Sequence, residues 1–255
     1  KKRDTGRQRK MCIVDRGDAA VIAPIQGQTQ GAVISNGIAP RYSDIDAYAM
    51  AAASIDEALR NAVCVGVDLE LIAGLDNFCW PDSVESAKTP DGRYKLAQLV
   101  RANRALDDVC RAYNLPCISG KDSMKNDAIL DRKKISVPPT LLFSLIGNHS
   151  DVRKAVSSDF KNVGDHIYLL GETHQELGAS ELAFMFRDDS GGQSGIGGEV
   201  PEIDTARNLS MYRSLTAAMG AGLVASAHDC SDGGLATAVA ECCFGSDSGG
   251  IIDIS

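Results

Sequence analysis

Short apolar runs alternate along this chain with long amphipathic segments, and this alternation limits the possible folds more than any other feature. Residues 19–25 and 32–35 are apolar runs of strand length, separated by the loop GQTQG. The segment 41–66 instead repeats its apolar residues every three or four positions, as an α-helix does: Ile45, Ala49, Ala52, Ile55, Leu59 and Ala62. The alternation predicts a mixed fold of the α/β or α+β class.

A second amphipathic helix is predicted over residues 89–114. Its inward face is expected to carry Leu96, Leu99, Leu106 and Cys110. Pro116 ends this helix, because the residue before a proline is pushed out of α-helical geometry. Further strands are expected in LELIAGLDNF, CISG and TLLFSLIG. These elements predict one small sheet within the first 150 residues.

The chain turns polar at residues 151–162, and we place a domain boundary there. Beyond the boundary the pattern predicts strands over 166–172 and 223–229, a glycine-rich loop over 188–199, helices over 205–222 and 235–245, and a strand that begins at 251. The first of these helices has Leu209, Tyr212, Leu215 and Met219 on one face, and the second is expected to be short and buried. We therefore predict a basic segment 1–17, an N-terminal domain 18–150, and a C-terminal domain 151–255. The last is expected to be incomplete because the sequence stops as a strand starts.

Composition and charge exclude several classes of protein. Hydrophobic residues make up 44% of the chain and charged residues 24%, which is unlike a disordered protein. No apolar run is long enough for a membrane span, and no apolar leader is visible. The net charge is −8, and the basic cluster KKRDTGRQRK is read as a solvated segment rather than a nucleic-acid-binding arm. We expect neither a nucleic-acid nor a membrane partner.

The eight cysteines indicate the compartment in which the protein works. No two of them have the CxxC spacing of a zinc or redox motif. Most lie within apolar runs, where cysteine behaves as a small hydrophobic residue. The pattern predicts free thiols in a reducing cytoplasm.

Two polar positions near the first helix are candidates for metal binding. Asp18 lies directly before a predicted strand. Glu57 and Asn61 are four residues apart and therefore share one face of the helix, apart from the Ile55 and Leu59 stripe. A carboxylate and an amide oxygen on one face suit Mg²⁺, which takes oxygen ligands. A solvent-exposed pair that only stabilises the helix is the alternative.

The segment PCISGKDSMKND ends a strand with Gly120, Lys121 and Ser123. Glycine lets a ligand approach the backbone closely, and the lysine and serine side chains suit a phosphate. The segment is not a P-loop, because the first glycine of that motif is missing and Lys121 precedes an aspartate. A simple turn is the alternative.

The segment AHDCSDGG is the fourth polar position. Asp229 and Asp232 are either metal ligands or, for Asp232, the start of the following helix. The backbone amides from Ser231 onward point to a helix N-terminus that suits an anion. His228 is either a base or a structural histidine.

Taken together and in this order, five segments resemble the phosphoribosylformylglycinamidine synthase family, and specifically the second half of its synthetase region. They are GDAAV, SNGIAPRYSDIDAYAMAAASIDEALRNAV, GLDNFCW, PCISGKDSM and SAHDCSDGGLATAVAE, and the resemblance runs from about residue 18 to residue 254. It implies a two-domain unit in which the N-terminal sheet pairs with that of a sister domain, or of a second copy, to form a barrel.

The resemblance also implies a reaction in purine biosynthesis. An ATP-dependent ligase of this family converts formylglycinamide ribonucleotide to the amidine, using ammonia that a glutaminase domain or subunit releases from glutamine. The implied cofactors are Mg²⁺ and ATP or ADP. Two alternatives remain, namely another member of the superfamily, similar to aminoimidazole ribonucleotide synthetase, and a non-catalytic nucleotide-binding half that supports a partner.

The resemblance assigns roles to individual residues. The implied magnesium ligands are Asp18, Glu57, Asn61 and Asp229. The implied nucleotide contacts are Gly17, Gly120, Lys121, Ser123 and Ser231. Lys121 stands where smaller relatives have a metal-binding asparagine, which favours pairing with phosphate. No catalytic residue is implied, because the histidine and phosphate loop of the family's first half are not visible, and the isolated chain is expected to be inactive.

Overall fold

The computed structural model describes the backbone of residues 12–14 and the residues 17–186, 198–245 and 249–252. Its strands are β1 Cys12–Val14, β2 Ala20–Ile22, β3 Gly31–Ile38, β4 Asp68–Cys79, β5 Cys117–Ser123, β6 Asp127–Leu130, β7 Lys133–Ser136 and β8 Thr140–His149. Its α-helices are α1 Ala47–Cys64, α2 Gly92–Ala112, α3 Glu181–Met185, α4 Thr205–Gly220 and α5 Gly234–Phe244, with 3-10 turns at Pro40–Asp44 and Val152–Lys154. The fold is mixed α+β.

Six strands form one sheet in the order β1-β2-β3-β8-β4-β5. Strand β8 is antiparallel to both β3 and β4, so those two strands run parallel to each other on either side of it. Helix α1 connects β3 to β4, and α2 connects β4 to its parallel neighbour β5. Strands β6 and β7 form a separate hairpin. This topology leaves β5 at one edge of the sheet, on the far side from β1 and β2.

Helix α1 is the centre of the core. It begins later than predicted, because the side chain of Asp46 accepts a hydrogen bond from the Tyr48 amide and caps the helix. The residues before it form a 3-10 turn. The alanine-rich helix packs so closely on β3 that a Cβ atom on Gly37 would lie 2.1 Å from the Ser54 carbonyl oxygen. Backbone groups of β3 therefore lie within reach of side chains on α1.

The inward face of α2 differs from the prediction. Ala102, Ala105 and Val109 are buried, whereas Leu96 is 48% exposed and the other predicted residues are only partly buried. Small side chains let α2 approach the alanine-rich α1, which leaves the larger leucines at the margin of the contact. The prediction is therefore partly confirmed, because Leu99, Leu106 and Cys110 pack against the core and only Leu96 does not.

Helices are the main regular elements of the second half of the described chain, and much of the rest of that half is irregular. The predicted face of α4 is confirmed, since Tyr212 and Met219 are buried and Leu209 and Leu215 pack against the core. The predicted strands over 166–172 and 223–229 do not form. A strand needs a hydrogen-bonded neighbour, and the second segment has only the isolated bridge Ser157–Ser226.

Two further predictions for the second half are only partly met. Helix α5 buries Ala238 and Cys242 but leaves Phe244 exposed, so it is not a buried helix. The strand predicted from 251 is absent at 251–252, and its remainder lies outside the described residues. Most of the predicted loop 188–199 and the basic cluster 1–10 also lie outside them.

The structure can be compared with the predictions of free thiols and of no membrane span. All seven cysteines whose side chains the structure describes are free thiols, as predicted. Among the described residues, no helix has both the length and the apolar character needed to cross a membrane.

Candidate functional site

Asp18 joins the start of the sheet to the segment before α5. Its side chain is buried, and its Oδ2 atom accepts a hydrogen bond of 3.0 Å from the backbone amide of Asp229. Its Oδ1 atom lies 2.6 Å from Nδ1 of His228. Residues separated by more than 200 positions in the sequence therefore meet at one point.

His228 is held between two carboxylates. Nδ1 contacts Asp18, and Nε2 lies 2.9 Å from Oε2 of Glu241. The hydrogen bond to Asp18, together with the weaker effect of Glu241, outweighs burial and raises the pKa of His228 to about 9. The ring is therefore protonated at neutral pH and donates from both nitrogens. This arrangement favours the structural role for His228 over a role as a base.

Asp229 is the second carboxylate of the cluster and is 6% exposed. Burial raises its pKa, and the nearby Asp18 charge adds to the rise while Arg60 opposes it. One carboxylate oxygen from each of Asp18 and Asp229 and one ring nitrogen of His228 all lie within 4.8 Å of one another. Because the His228 ring is protonated, the two carboxylates are the candidate metal ligands of this cluster. The predicted pair Asp18 and Asp229 is thus brought together.

Glu57 and Asn61 lie side by side against β3. Oε2 of Glu57 accepts a 2.8 Å hydrogen bond from the Ile38 amide, and Nδ2 of Asn61 donates to the Asn36 carbonyl oxygen at 3.0 Å. Both residues are half-buried, so they are not the freely exposed pair of the alternative interpretation. Burial raises the pKa of Glu57, and the Asp229 charge adds to that effect, which places Glu57 within electrostatic reach of the cluster.

The donor set fits a hard divalent cation. The Oδ1 atom of Asn61 is buried and has no hydrogen-bond partner, so an acceptor oxygen is available beside Glu57. Asp18, Asp229 and Glu57 supply carboxylate oxygens, which Mg²⁺ prefers. All four predicted ligands thus have the chemistry that Mg²⁺ prefers, but only Asp18 and Asp229 belong to the group of ligand atoms within 4.8 Å of one another.

Sequence reasoning did not identify two charged residues on α1 that contact the site. Asp56 is 1% exposed and accepts a 2.6 Å hydrogen bond from Nη1 of Arg60, one helical turn away. The Arg60 guanidinium also reaches Oδ2 of Asp229, from Nη2 at 3.3 Å and Nε at 3.4 Å. The i,i+4 spacing of opposite charges inside DEALRN was the available signal.

The predicted nucleotide contacts fall into two groups. Gly17 and Ser231 are exposed residues beside the cluster, and the Ser231 carbonyl oxygen accepts a 3.0 Å hydrogen bond from Gly234 in the turn that opens α5. Asp232 is exposed in the same turn and, from nearby, raises the pKa of Glu57.

The second group lies on β5 and consists of Gly120, Lys121 and Ser123. Nζ of Lys121 donates a 2.6 Å hydrogen bond to Oγ of Ser123. Strand β5 is four positions away from β2 in the sheet, about 19 Å at the usual strand spacing. The chain by itself does not bring this group to Asp18.

Comparison with known families and proteins gave matches over most of the chain. The family AIR synthase related protein, N-terminal domain, matches residues 16–141, and AIR synthase related protein, C-terminal domain, matches residues 162–255. Phosphoribosylformylglycinamidine synthase subunit PurL of Anaeromyxobacter sp. (strain Fw109-5) is 34% identical over 232 residues, which are 89% of this chain and 28% of that protein. The chain thus spans less than a third of the length of this relative.

Solved structures of PurL from Thermotoga maritima are also similar. The structure described as PurLQS is 22% identical with a TM-score of 0.47, over 58% of this chain and 22% of that one. PurL complexed with ADP is 21% identical with a TM-score of 0.46, over 59% of this chain and 25% of that one.

Proposed function

The chain belongs to the AIR synthase related family, and from this premise we propose that it supplies a magnesium–nucleotide site to an ATP-dependent formylglycinamidine ribonucleotide synthase. The 34% identity to a PurL subunit over most of the chain supports this assignment within the family. The activity of the whole relative is a proposal here, because the chain spans 28% of it.

The observation that carries the proposal is the meeting of Asp18 and Asp229. They are 211 residues apart in the sequence, and a direct hydrogen bond joins them. Two buried carboxylates repel each other unless a cation compensates for their charge. His228 and Arg60 provide part of this compensation, and the unpartnered oxygen of Asn61 supports a further cation nearby.

Each residue has a defined task in the proposed site. Asp18, Glu57, Asn61 and Asp229 hold Mg²⁺ through their side-chain oxygens. When bound, Mg²⁺ neutralises the charge on nucleotide phosphate oxygens, which is the main requirement of phosphoryl transfer. Gly17 and Ser231, which lie beside these ligands, contact the nucleotide through their backbone and hydroxyl groups.

The residues on β5 serve a partner in this proposal. Gly120, Lys121 and Ser123 lie on an edge strand whose second side is unpaired in the described part of the chain. A sister synthetase domain, or a second copy of the chain, pairs with this sheet to complete a barrel. Lys121 and Ser123 then contact phosphate in a nucleotide site shared with that partner.

The remaining parts of the proposal follow from the family. The substrate is a ribonucleotide, a glutaminase domain or subunit supplies ammonia, and the free cysteines support a cytoplasmic setting. The division into residues 18–150 and 151–255 remains our proposal for the domains. Another superfamily member, such as aminoimidazole ribonucleotide synthetase, is the alternative among enzymes.

One observation favours a second candidate, a non-catalytic nucleotide-binding half. The histidine of the cluster, His228, is bonded at both ring nitrogens and is not available as a base. Under this candidate the chain binds nucleotide tightly and shows no turnover, even with a partner present. Amidine formation that depends on the cluster of this chain would favour the enzyme instead.

Calorimetry tests the site. We expect ADP to bind the 255-residue chain in the presence of Mg²⁺ and far more weakly in its absence. Glu57→Gln should weaken Mg²⁺-dependent binding by roughly 1–3 kcal/mol, because a charged oxygen ligand becomes neutral. Glu70→Gln is the matched control, since Glu70 is an exposed carboxylate on β4. Equal ADP affinity in all conditions and variants would refute the proposed site.

A further inference from the structure

Arg60 lies between two buried carboxylates. Its Nη1 atom bonds to Oδ2 of Asp56 at 2.6 Å, and its Nη2 and Nε atoms face Oδ2 of Asp229 at 3.3 and 3.4 Å. Asp56 and Asp229 are 1% and 6% exposed, and the arginine side chain is 26% exposed. A planar guanidinium can bridge two carboxylates in this way, whereas a lysine ammonium is a single point charge.

Asp56 is a fixed anchor for this arginine. Its Oδ1 atom accepts hydrogen bonds from the hydroxyls of Tyr113 and Tyr212, at 2.5 and 3.0 Å, and from Nδ2 of Asn208 at 3.1 Å. Tyr113 follows the end of α2, and the other two donors are on α4. Because donors from the end of α2 and from α4 hold the Asp56 carboxylate, the position of Arg60 is set by the core and not by Asp229.

The bond from Arg60 decides which oxygen of Asp229 is left for a ligand. Oδ2 is occupied by the guanidinium, and the backbone amide of the residue is bonded to Asp18. Oδ1 lies 3.9 Å from Nδ1 of His228, which is too far for a hydrogen bond. The Oδ1 atom is thus the free acceptor of Asp229, and it faces the cluster formed with Asp18.

We propose that Arg60 is a positioning residue, which the Asp56 anchor holds in place and which fixes Asp229 so that Oδ1 is presented to the cation of the cluster. The inference rests on the proposed magnesium site. Arg60 does not touch the cation, because both are positively charged, and it acts only through Asp229. Hydrogen bonds from residues behind metal ligands commonly change metal affinity 10- to 100-fold.

A purely structural role for Arg60 predicts a different result. If Arg60 only joined α1 to the segment before α5, its loss would lower stability and leave the affinity of the folded protein for metal unchanged. A positioning role lowers metal affinity in protein that is still folded. The two quantities must therefore be measured separately on each variant.

The probe is Mn²⁺, whose free-ion electron paramagnetic resonance signal falls on binding, with Mg²⁺ as competitor. The variants of the full chain are Arg60→Met and Arg60→Lys, with Arg111→Met as control. Arg111 forms the same i,i+4 pair with Asp107 on the exposed face of α2. Urea unfolding of each variant, followed by circular dichroism, measures stability and identifies the folded conditions for the metal titration.

We expect Arg60→Met to weaken Mn²⁺ binding about 10- to 100-fold and Arg60→Lys about three- to tenfold, because an ammonium reaches only one of the two carboxylates. The control should match the wild type. If Arg60→Met does not fold, the lysine variant decides. Wild-type Mn²⁺ affinity in a folded Arg60 variant would overturn the positioning role. Failure of the wild-type chain itself to bind Mn²⁺ would instead overturn the proposed metal site.

Discussion

The buried carboxylate of Asp56 should be one of the largest single contributors to stability. It accepts hydrogen bonds from Arg60, Tyr113, Tyr212 and Asn208 while it is 1% exposed. Asp56→Asn keeps the shape of the side chain but removes the charge and points an NH₂ group at several donors. Loss of one partner of a buried ion pair costs about 3–5 kcal/mol.

The lower end of that range applies here. Arg60 keeps its contact with Asp229 and is partly exposed, so its charge is not left alone in the core. We therefore expect Asp56→Asn to lower the free energy of unfolding by about 3 kcal/mol. Trp80, the single tryptophan, is fully buried and reports unfolding in urea by fluorescence.

Two further variants serve as controls for this result. Asp107→Asn removes an exposed carboxylate whose arginine partner, Arg111, also lies four residues along the helix. This change should alter the free energy of unfolding by no more than about 1 kcal/mol. The double variant Asp56→Asn with Arg60→Met should be less destabilised than the sum of its single variants, because each change removes the same interaction. A loss below about 1 kcal/mol for Asp56→Asn, or strict additivity in the double variant, would refute the argument.

Three further results are expected. Gly37→Ala should destabilise the protein by more than about 2 kcal/mol in the same urea assay, since its Cβ would lie 2.1 Å from the Ser54 carbonyl oxygen; wild-type stability would contradict the close packing. Burial lowers the pKa of His149, so the unfolded chain binds a proton more readily than the folded one. The stability that the neutral His149 contributes is complete above the unfolded pKa of about 6.5 and is lost as the pH falls below that value. His149→Asn should therefore make the free energy of unfolding depend less on pH between pH 5 and pH 7. The sheet face opposite α1 exposes Ile34 and Ile146, so the chain should associate at micromolar concentration; a monomer in light scattering would argue against this.

The elements that the sequence predicted well are those whose pattern is local. Helix α1 and strands β3 and β8 follow directly from periodic apolar residues, because each buries one face against the same core. The face of α2 was only partly right, since side-chain size as well as hydrophobicity decides which residues meet an alanine-rich helix. The strands expected over 166–172 and 223–229 failed for another reason, because a strand exists only with a neighbour that no local pattern specifies.

The candidate site, too, could be predicted only where the pattern is local. The shared face of Glu57 and Asn61 follows from helical spacing, but the meeting of Asp18 with Asp229 could be expected only from the family resemblance. The place of Lys121 depends on the strand order, which puts β5 at the opposite edge from β2. The strand order is a property of the whole sheet and cannot be predicted from the residues near Lys121.

Residues 56–61 of α1 carry both the helix residues of the proposed metal site and those that contact the second half of the chain. Glu57 and Asn61 face β3, whereas Asp56 and Arg60, one position earlier on each turn, face α4 and Asp229. Neighbouring positions on a helix point about 100° apart, so two adjacent stripes of α1 reach two different parts of the structure.

It follows that the proposed metal site would couple cation binding to the stability of the fold. A cation that binds Asp18 and Asp229 links the segment before β2 to a residue of the second half, so it would bind the folded chain and not the unfolded one. At a free Mg²⁺ concentration 100 times the Kd, this linkage adds about 2.7 kcal/mol to the free energy of unfolding. Arg60→Met should reduce that increment as well as the basal stability, because the same guanidinium bonds to the anchor and to the metal ligand.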